Sequence, residues 1–460
     1  SFPVRNTTAA AAVVTRATCS MTDPDRRVSA TATTASPLSS DPLDEFDLLV
    51  VGGGAAGFMA AVTAAEQGVE RVLVLEATTE PLSKVRLSGG GRCNVTHACW
   101  DPAELVGHYP RGQRPLRGPF SRFASGDAVA WFADHGLDLV EETDGRMFPQ
   151  ANRSSAVVDC LRQAAKRCGV RLITSAPVQS LTGDLSAGFV ASCRGGERFY
   201  AHRVLLATGG HPSGRRLAAQ LGHRLIPPVP SLFSLTLDAP QLRGCAGIAL
   251  DDVALTLVVG EERFRQVGRV LITHWGLSGP ATLRLTAFAA RALQASRYRA
   301  MLTVSWCGGV SQADLLAALR DQRIQAARRT LTASRPLAAQ LPRRLWVSML
   351  EVVGVAADQR WADCPAKVEK GLFDQLQQCC YPVKGRGPFG EEFVTAGGVD
   401  LGEINLATME SRCCPGLHLA GELMDVDGVT GGFNFQHCWT SGWLAGQSVA
   451  RQLTGSDRTH

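Results

Sequence analysis

FDLLVVGGGAAGFMAAVTAAEQGVERVLVLE, running from Phe46 to Glu76, decides the fold. Asp47 to Val51 is a short apolar run, suited to a strand buried on both faces. Gly52, Gly54 and Gly57 follow in G-x-G-x-x-G register. The first glycine permits a tight turn, the second lets the backbone approach a pyrophosphate, and the third lets helix and strand pack closely. A helix from Ala55 to Gln67 would aim its unpaired N–H groups and positive dipole end at that pyrophosphate. Gly68 stops it. Arg71 to Leu75 reads as a second strand. Glu76 ends that strand where an acidic side chain grips a ribose diol, roughly 20 residues after the glycines.

A glycine-rich turn alone needs no ligand. The order strand, turn, helix, strand, acid is what the dinucleotide reading requires. Leu48 to Ala65 is also an uncharged run nearly long enough to cross a bilayer. Its adjacent glycines and its change from strand-like to helix-like composition argue against a single spanning helix.

The 460 residues suffice for a large core and for two or three domains. A net charge of +5 is too small to imply nucleic acid by itself. The 14 cysteines form neither C-x-x-C pairs nor a regular framework. Reduced thiols in a cytoplasm-like compartment fit this usage. Residues 1–44 are rich in Ala, Thr and Ser. The reading favoured there is a disordered tail or an upstream extension ahead of Met21. The alternative is an organellar transit segment, which Asp23, Asp25 and Asp41 argue against.

Downstream of Glu76, the stretch ATTEPLSKVRLSGGGRCNVTHACW reads as a loop. Gly89, Gly90 and Gly91 would let the backbone lie flat on a phosphate or a flat ring. Lys84, Arg86 and Arg92 supply positive charge; Ser88 and Asn94 supply hydrogen bonds. A helix is expected over Asp127–His135. Another follows Asn152, Ser154 or Ser155 as its cap. Arg171–Ser175 and Val178–Leu181 read as strands. RVLLATGG, Arg203 to Gly210, is a buried strand ending in small residues at the carboxyl edge of a parallel sheet.

Pro227, Pro228 and Pro230 mark a boundary. Ser231 to Val304 is β-rich and suggests a small barrel or sandwich. A helix start is expected at Ser278–Gly279–Pro280. Gln312 to Gln378 is helical in composition and rich in arginine, among them Arg320, Arg323, Arg328, Arg329, Arg335, Arg343 and Arg344. A solvated helical face explains that cluster without nucleic acid. Gly385, Gly387 and Gly390 repeat the glycine spacing but lack a preceding apolar strand. The C-terminal stretch has a short strand, Leu417–Ala420, then Gly421–Glu422, a loop with Gly428, Gly431 and Gly432, and a helix from about Gln436 to Leu453.

VVGGGAAGFMAA, LSGGGRCNVTH, GRMFPQANRSSAVVDCL, ATGGHPSG, ITHWGLSGPATL, TAGGV and AGELMDVDGVTGGFNFQHCWTSGWLAG together resemble the YhiN/BaiN-type, aminoacetone oxidase-like family of bacterial flavoproteins. The resemblance spans Phe46 to about Gln452. It implies an α/β fold: a glutathione-reductase-type, Rossmann-like FAD-binding domain interrupted by a β-barrel-like insert and a helical insert. The expected divisions are the FAD-binding domain over 45–226 and 383–455, the β-rich insert over 227–308 and the helical insert over 309–382.

It also implies FAD bound non-covalently. The pyrophosphate would lie on Gly52, Gly54, Ala55, Ala56 and Gly57, and the adenosine ribose on Glu76. Gly89, Gly90, Gly91, Arg92, Cys93 and Asn94 would line the phosphates and flavin. Val178 would meet the adenine, and Thr208–Gly209 would flank the dinucleotide. Gly421–Glu422 would approach the ribityl chain; Gly431, Gly432, Phe433 and Asn434 would approach the ring. Phe433 stands where the family commonly has Tyr, and His437–Cys438 departs from the usual pattern.

The function expected is an FAD-dependent oxidoreductase acting on a small organic molecule. Within the family the implied activities are amine oxidation and NAD(P)H-linked reduction of carbon–carbon double bonds. NAD(P)H would bind transiently, since no second nucleotide fold is present. His274 is a weak candidate for proton transfer. Cys93 and Cys99 are one residue too widely spaced for the usual redox dithiol. Two other classes compete: an RNA-modifying or RNA-binding flavoprotein using the arginine-rich arm, and a flavin-binding sensor without turnover. No membrane partner is expected, nucleic acid is disfavoured, and the oligomeric state is open.

Overall fold

The computed structural model describes residues 44–388 and 394–455. The expectation for residues 1–44 therefore lies outside the described residues, except for Asp44, which opens the first strand. Gly390 also lies outside them.

Five parallel strands form the central sheet, in the order Leu417–Leu419, Arg198–Leu206, Asp44–Val51, Val72–Leu75 and Arg171–Ile173. The first strand sits in the middle, and Leu48, Leu49 and Val50 are fully buried. The unbroken apolar run is therefore what a two-sided environment demands. A hairpin, Val178–Asp184 with Gly188–Cys193, extends from the Arg198–Leu206 strand.

The first helix, Ala55–Glu66, is buried along Ala55–Ala64. One side meets the sheet; the other meets the C-terminal helix, Phe433–Thr454. Two glycines make that helix pair close. A Cβ at Gly442 would sit 2.5 Å from the Ala56 carbonyl oxygen, and one at Gly446 would sit 2.6 Å from that of Ala60. Trp439, fully buried, donates its Nε1–H to the Val95 carbonyl at 2.9 Å and so ties the C-terminal helix to the GGGRCNV segment. No helix among the described residues is long and apolar enough to cross a membrane.

The insert is a closed barrel. Its strands include Leu235–Leu237, Ala249–Val259, Glu262–Ile272, Gly276–Ser278 and Ala300–Ser305. The last strand, Cys379–Arg386, comes from beyond the helical stretch and pairs with both Ala300–Ser305 and Leu235–Leu237. The expected boundary at 382/383 therefore falls inside a barrel strand, because closure needs an edge that the first five strands do not supply. The boundary at 226/227 likewise falls inside a strand, Leu225–Ser231, which pairs with Val394–Val399. YPVKGRG is thus barrel wall. The helical stretch divides into Gln312–Gln325, Arg343–Val353 and Ala366–Gln377.

Three local expectations change. The segment after Glu76 is not all loop: Ser83 begins a helix that breaks where Ser88 turns extended and Gly89 and Gly90 turn left-handed. None of Asn152, Ser154 and Ser155 caps the next helix, Ser154–Arg167; Arg153 holds the cap position without a side-chain bond, and Ser154 Oγ donates to the Arg86 carbonyl at 2.6 Å. The C-terminal helix begins at Phe433, three residues early, so Phe433 and Asn434 belong to its first turn.

The Gly442→Val change should lower stability by at least about 1–3 kcal/mol, read as a lower denaturant midpoint, because the Ala56 carbonyl has nowhere to go. An unchanged midpoint would show that the helix pair is not in close contact.

Candidate functional site: a dinucleotide cradle between two helix N-termini

Gly52 turns at φ +113°, and a Cβ there would lie 2.4 Å from the Ala207 carbonyl oxygen. A side chain at this point would push the turn off the neighbouring strand. Gly57 is equally tight against the Gly52 carbonyl, at 2.1 Å. Gly54, by contrast, faces open space. It occupies the N-cap position of the first helix, and no side chain caps that end. The N–H groups of Ala55, Ala56 and Gly57 thus begin a helix whose positive end no side chain among the described residues caps.

Glu76 stands beside this turn. Its Oε2 accepts from the Gly53 N–H at 2.8 Å, while Oε1 accepts from Thr78 N and Oγ1, each at 2.8 Å. Oε1 is engaged twice, so Oε2 is the oxygen with capacity left for a ribose hydroxyl.

The second cradle comes from the other end of the chain. Gly432 turns at φ +92°, and a Cβ there would meet the Thr96 carbonyl at 2.6 Å and Asn94 Oδ1 at 2.9 Å. It caps the C-terminal helix, again with no side-chain bond. Asn434 does not reach outward: its amide is closed on Gly428, accepting from the N–H at 2.9 Å and donating to the carbonyl at 2.8 Å. The Phe433 ring is buried against His97 and His108, with centroid separations of 4.8 and 4.1 Å, and the two imidazoles are themselves 6.0 Å apart. Tyr109, fully buried, donates to the Phe433 carbonyl at 2.6 Å. What Phe433 and Asn434 present to a ligand is therefore backbone, at a helix N-terminus.

Side chains join the two halves. Lys84 Nζ pairs with Glu422 Oε2 at 2.6 Å, and a Cβ on Gly210 would lie 3.2 Å from Glu422 Oε1. A Cβ on Gly421 would lie 3.0 Å from the Ala56 Cβ. Gly421 donates its N–H to Ser441 Oγ at 2.9 Å, and its carbonyl lies 3.2 Å from His437 Nε2. Gly52–Gly57, Thr208–Gly209 and Gly421–Glu422 are thus brought together, and Gly89–Asn94 meets Gly431–Gly432.

Some residues expected at the ligand have other work. Arg92 donates from Nε to Asn152 Oδ1 at 2.5 Å and pairs with Glu142 at 2.5 Å, its guanidinium 4.0 Å above the Phe148 ring. Cys93 is a buried thiol whose pKa is pushed up to about 12 by burial, which makes it a poor nucleophile. Val178 is buried at the start of its hairpin. His274 is exposed in the turn before Gly276–Ser278. Sequence reasoning missed His97, His108, Arg111, Arg284 and Asp427, which carry no spacing signal. Arg111 makes a two-pronged pair with the fully buried Asp427, also donates to the Ala287 carbonyl at 2.9 Å, and Ser231 Oγ donates to Asp427 at 2.8 Å. That knot fastens the glycine loop to the insert.

Burial leaves the floor of the cradle uncharged. It lowers the His437 pKa to about 4 and raises that of Cys438 to about 12. Asn94 Oδ1 and Thr208 Oγ1 are buried and have no partner among the described residues. Unsatisfied buried polar atoms are costly. They sit in the two segments expected along a dinucleotide, and the phosphates and polar ring edge of FAD would supply the partners that both atoms lack.

Residues 46–448 match the HI0933-like protein Rossmann domain. The chain belongs to this FAD-binding, HI0933-like family. It is 29% identical over 420 residues to the 3-dehydro-bile acid delta(4,6)-reductase of Clostridium scindens, covering 88% of this chain and 98% of that protein. It is 30% identical over 418 residues to the ribosomal RNA dihydrouridine synthase of Escherichia coli, with the same coverage. Among solved structures it is similar to the 3-ketosteroid delta1-dehydrogenase of Sterolibacterium denitrificans, at 14% identity and a TM-score of 0.49, covering 89% of this chain and all of that one. Membership in the HI0933-like family makes this chain a flavin-dependent oxidoreductase.

Replacing Glu76 by Ala should weaken FAD binding by about 10- to 100-fold, the value of one to two charged hydrogen bonds. Flavin fluorescence on titration into apoprotein reads this directly. Unchanged affinity would place the ribose elsewhere.

Proposed function

We propose that this protein is an NAD(P)H-dependent reductase of a carbon–carbon double bond conjugated to a carbonyl group. The observation that carries the reading is the pair of uncapped helix N-termini, at Gly54 and Gly432, on two closely packed parallel helices from opposite ends of the chain. The first suits a pyrophosphate. The second suits the electron-rich edge that a flavin presents when reduced.

The names of the two relatives support the choice of reaction. A 3-dehydro-bile acid with 4,6 unsaturation holds its double bonds in conjugation with a ketone, and dihydrouridine arises by adding two hydrogens across a double bond conjugated to a ring carbonyl. The two names describe different molecules and one bond type. Bound FAD would take two electrons from a reduced nicotinamide and deliver them as hydride. The overall change is NAD(P)H plus a proton plus C=C–C=O, giving NAD(P)+ and CH–CH–C=O. Hydride goes to the carbon distal to the carbonyl, charge moves to the oxygen, and a solvent proton completes the neighbouring carbon. The protein's task is to hold the acceptor against the flavin and to stabilise that oxygen.

A small enone is the leading substrate class. RNA is a second reading, favoured by one feature of the insert. Arg320, Arg328, Arg329 and Arg343 are exposed, with Ile324 at 78% exposure among them. Arg323 and Arg335 are not part of this surface charge: the first pairs with Glu369 and the second is bonded to the Leu341 and Ala338 carbonyls. The free thiols of the described cysteines suit a reducing compartment.

Steady-state oxidation of NADH or NADPH should accelerate on adding 2-cyclohexen-1-one, a 4-en-3-ketosteroid or a uridine-containing RNA, and the product should gain two hydrogens by mass. Turnover of amines with peroxide release, and of none of these acceptors, would contradict the reading. An RNA gel shift that disappears with rising salt would select the second substrate class.

A further inference from the structure

Away from the cradle, three metal-ligating side chains converge: His223, Glu403 and Cys413. Each offers one ligand atom, and the three atoms lie within 4.8 Å of one another. The residues reach this point from separate places. His223 follows the helix Pro212–Gln220, Glu403 ends the short turn Leu401–Glu403, and Cys413 follows the strand Glu410–Ser411. Ile404 pairs with Ser411, and the Arg412 N–H donates to the Glu403 carbonyl at 2.8 Å. That hairpin holds the segments bearing Glu403 and Cys413 side by side. Its second strand runs antiparallel to Leu417–Leu419, with Glu410 opposite His418. The cluster therefore stands at the amino end of Leu417–Leu419, whereas Gly421 and the cradle lie past its carboxyl end.

The imidazole is set by two bonds. Nδ1 lies 3.1 Å from Glu403 Oε2, and Nε2 lies 2.9 Å from Ser411 Oγ. The His223 side chain is fully buried, and Glu403 is partly exposed. The Arg224 N–H steadies Glu403 Oε2 at 2.8 Å. Ser411 Oγ accepts from the N–H groups of Cys413 and Cys414, at 3.1 and 2.8 Å. Its two lone pairs are thus used, so its hydroxyl donates to Nε2 and the ring proton sits on Nδ1.

Serine, imidazole and carboxylate in this order have the connectivity of a hydrolytic triad. Ser411, however, is buried and already engaged by two backbone donors, which leaves no approach for a substrate carbonyl. The member of the cluster open to solvent is Cys413. Nitrogen, carboxylate oxygen and sulfur side by side suit a borderline-soft cation, and thiolate and imidazole are poor ligands for magnesium or calcium.

We propose that His223 Nδ1, a carboxylate oxygen of Glu403 and Cys413 Sγ bind one zinc ion, with water in the fourth position. The site is independent of the reductase reading above. Tetrahedral zinc holds such ligand atoms about 3.3–3.6 Å apart. The cluster reaches that spacing by small side-chain rotations, and exposed Cys413 gives the ion its way in. Binding displaces the thiol hydrogen of Cys413, which leaves as one proton to solvent. The ring proton passes from Nδ1 to Nε2, where Ser411 Oγ accepts it. The longer of the two backbone bonds to Ser411, from Cys413, gives way as Cys413 closes on the ion. Ser411 then provides the outer bond that orients a ligating histidine. Carboxylate and thiolate balance the two charges of zinc. The ion would fasten the turn after Pro212–Gln220 to the hairpin at the edge of the central sheet.

The test uses the full chain, stripped with a chelator, exchanged into clean buffer and titrated with zinc chloride against a chromophoric competitor. Wild type should retain one zinc per chain, and magnesium should not displace it. Cys413→Ser and Glu403→Gln should each weaken binding by about tenfold or more. Cys380→Ser, which removes a different exposed thiol, should leave it unchanged. Cobalt in place of zinc should give a thiolate charge-transfer band in the wild-type difference spectrum and none in Cys413→Ser. Zinc should also protect Cys413 from alkylation by iodoacetamide, read by peptide mass. Zinc retained equally by wild type and Cys413→Ser would assign the metal to adventitious thiols and overturn the site, as would a wild type that retains none. If Glu403→Gln fails to fold, Cys413→Ser, at an exposed position, still decides.

Discussion

The contact between the helix Ala55–Glu66 and the C-terminal helix is the constraint from which the rest follows. It is close because Gly442 and Gly446 let backbone meet backbone, at Ala56 and Ala60. Each helix carries a glycine turn at its N-terminus, and neither end is capped by a side chain. The helices run parallel, since Gly442 meets Ala56 and Gly446 meets Ala60, so both positive dipole ends point the same way, staggered by roughly 12 Å. The fold thus sets an electrostatic demand that an extended dinucleotide meets at two points, and binding should in turn stabilise the folded chain. More than 350 residues separate the two turns in sequence, and one interface sets their spacing.

The surrounding groups keep that demand from being met by the protein itself. Glu76 and Glu422 are the acids beside the cradle, and each is held by specific donors: Gly53 and Thr78 for the first, Lys84 for the second. Beneath the cradle, His437 is kept neutral by burial and Cys438 is kept protonated. Positive field comes from backbone. Arg111 and Asp427 fasten the insert helix Pro280–Phe288 to the glycine loop. A fully buried carboxylate is tolerable because its oxygens are met by a guanidinium fork and a serine hydroxyl. Barrel, glycine loop and C-terminal helix are consequently one mechanical unit.

Much of the cradle was legible in the sequence, because glycine spacing and strand–helix order report backbone geometry, and the cradle is built from backbone turns. Gly52, Gly57 and Gly432 are needed for reasons visible in one dimension: a turn, a close approach, a helix start. The cluster around Phe433 was not legible, because His97 and His108 carry no spacing signal and meet that ring only in the fold. Asn434 and Arg92 show the converse failure. Both stand in the right motif, yet their side chains are spent internally, on Gly428 and on Glu142 with Asn152. The barrel's last strand was hidden for a similar reason: Cys379–Arg386 is separated from its partners by a whole helical segment. Strand pairing at that range leaves no local trace.

The absorption spectrum of the purified protein, with chromatographic identification of what heat releases, tests the central claim most directly. The account predicts near-ultraviolet and blue flavin bands and one FAD released per chain, with no covalent residue left behind. A colourless protein that takes up no FAD on titration would contradict it, because the two uncapped helix ends would then have no ligand.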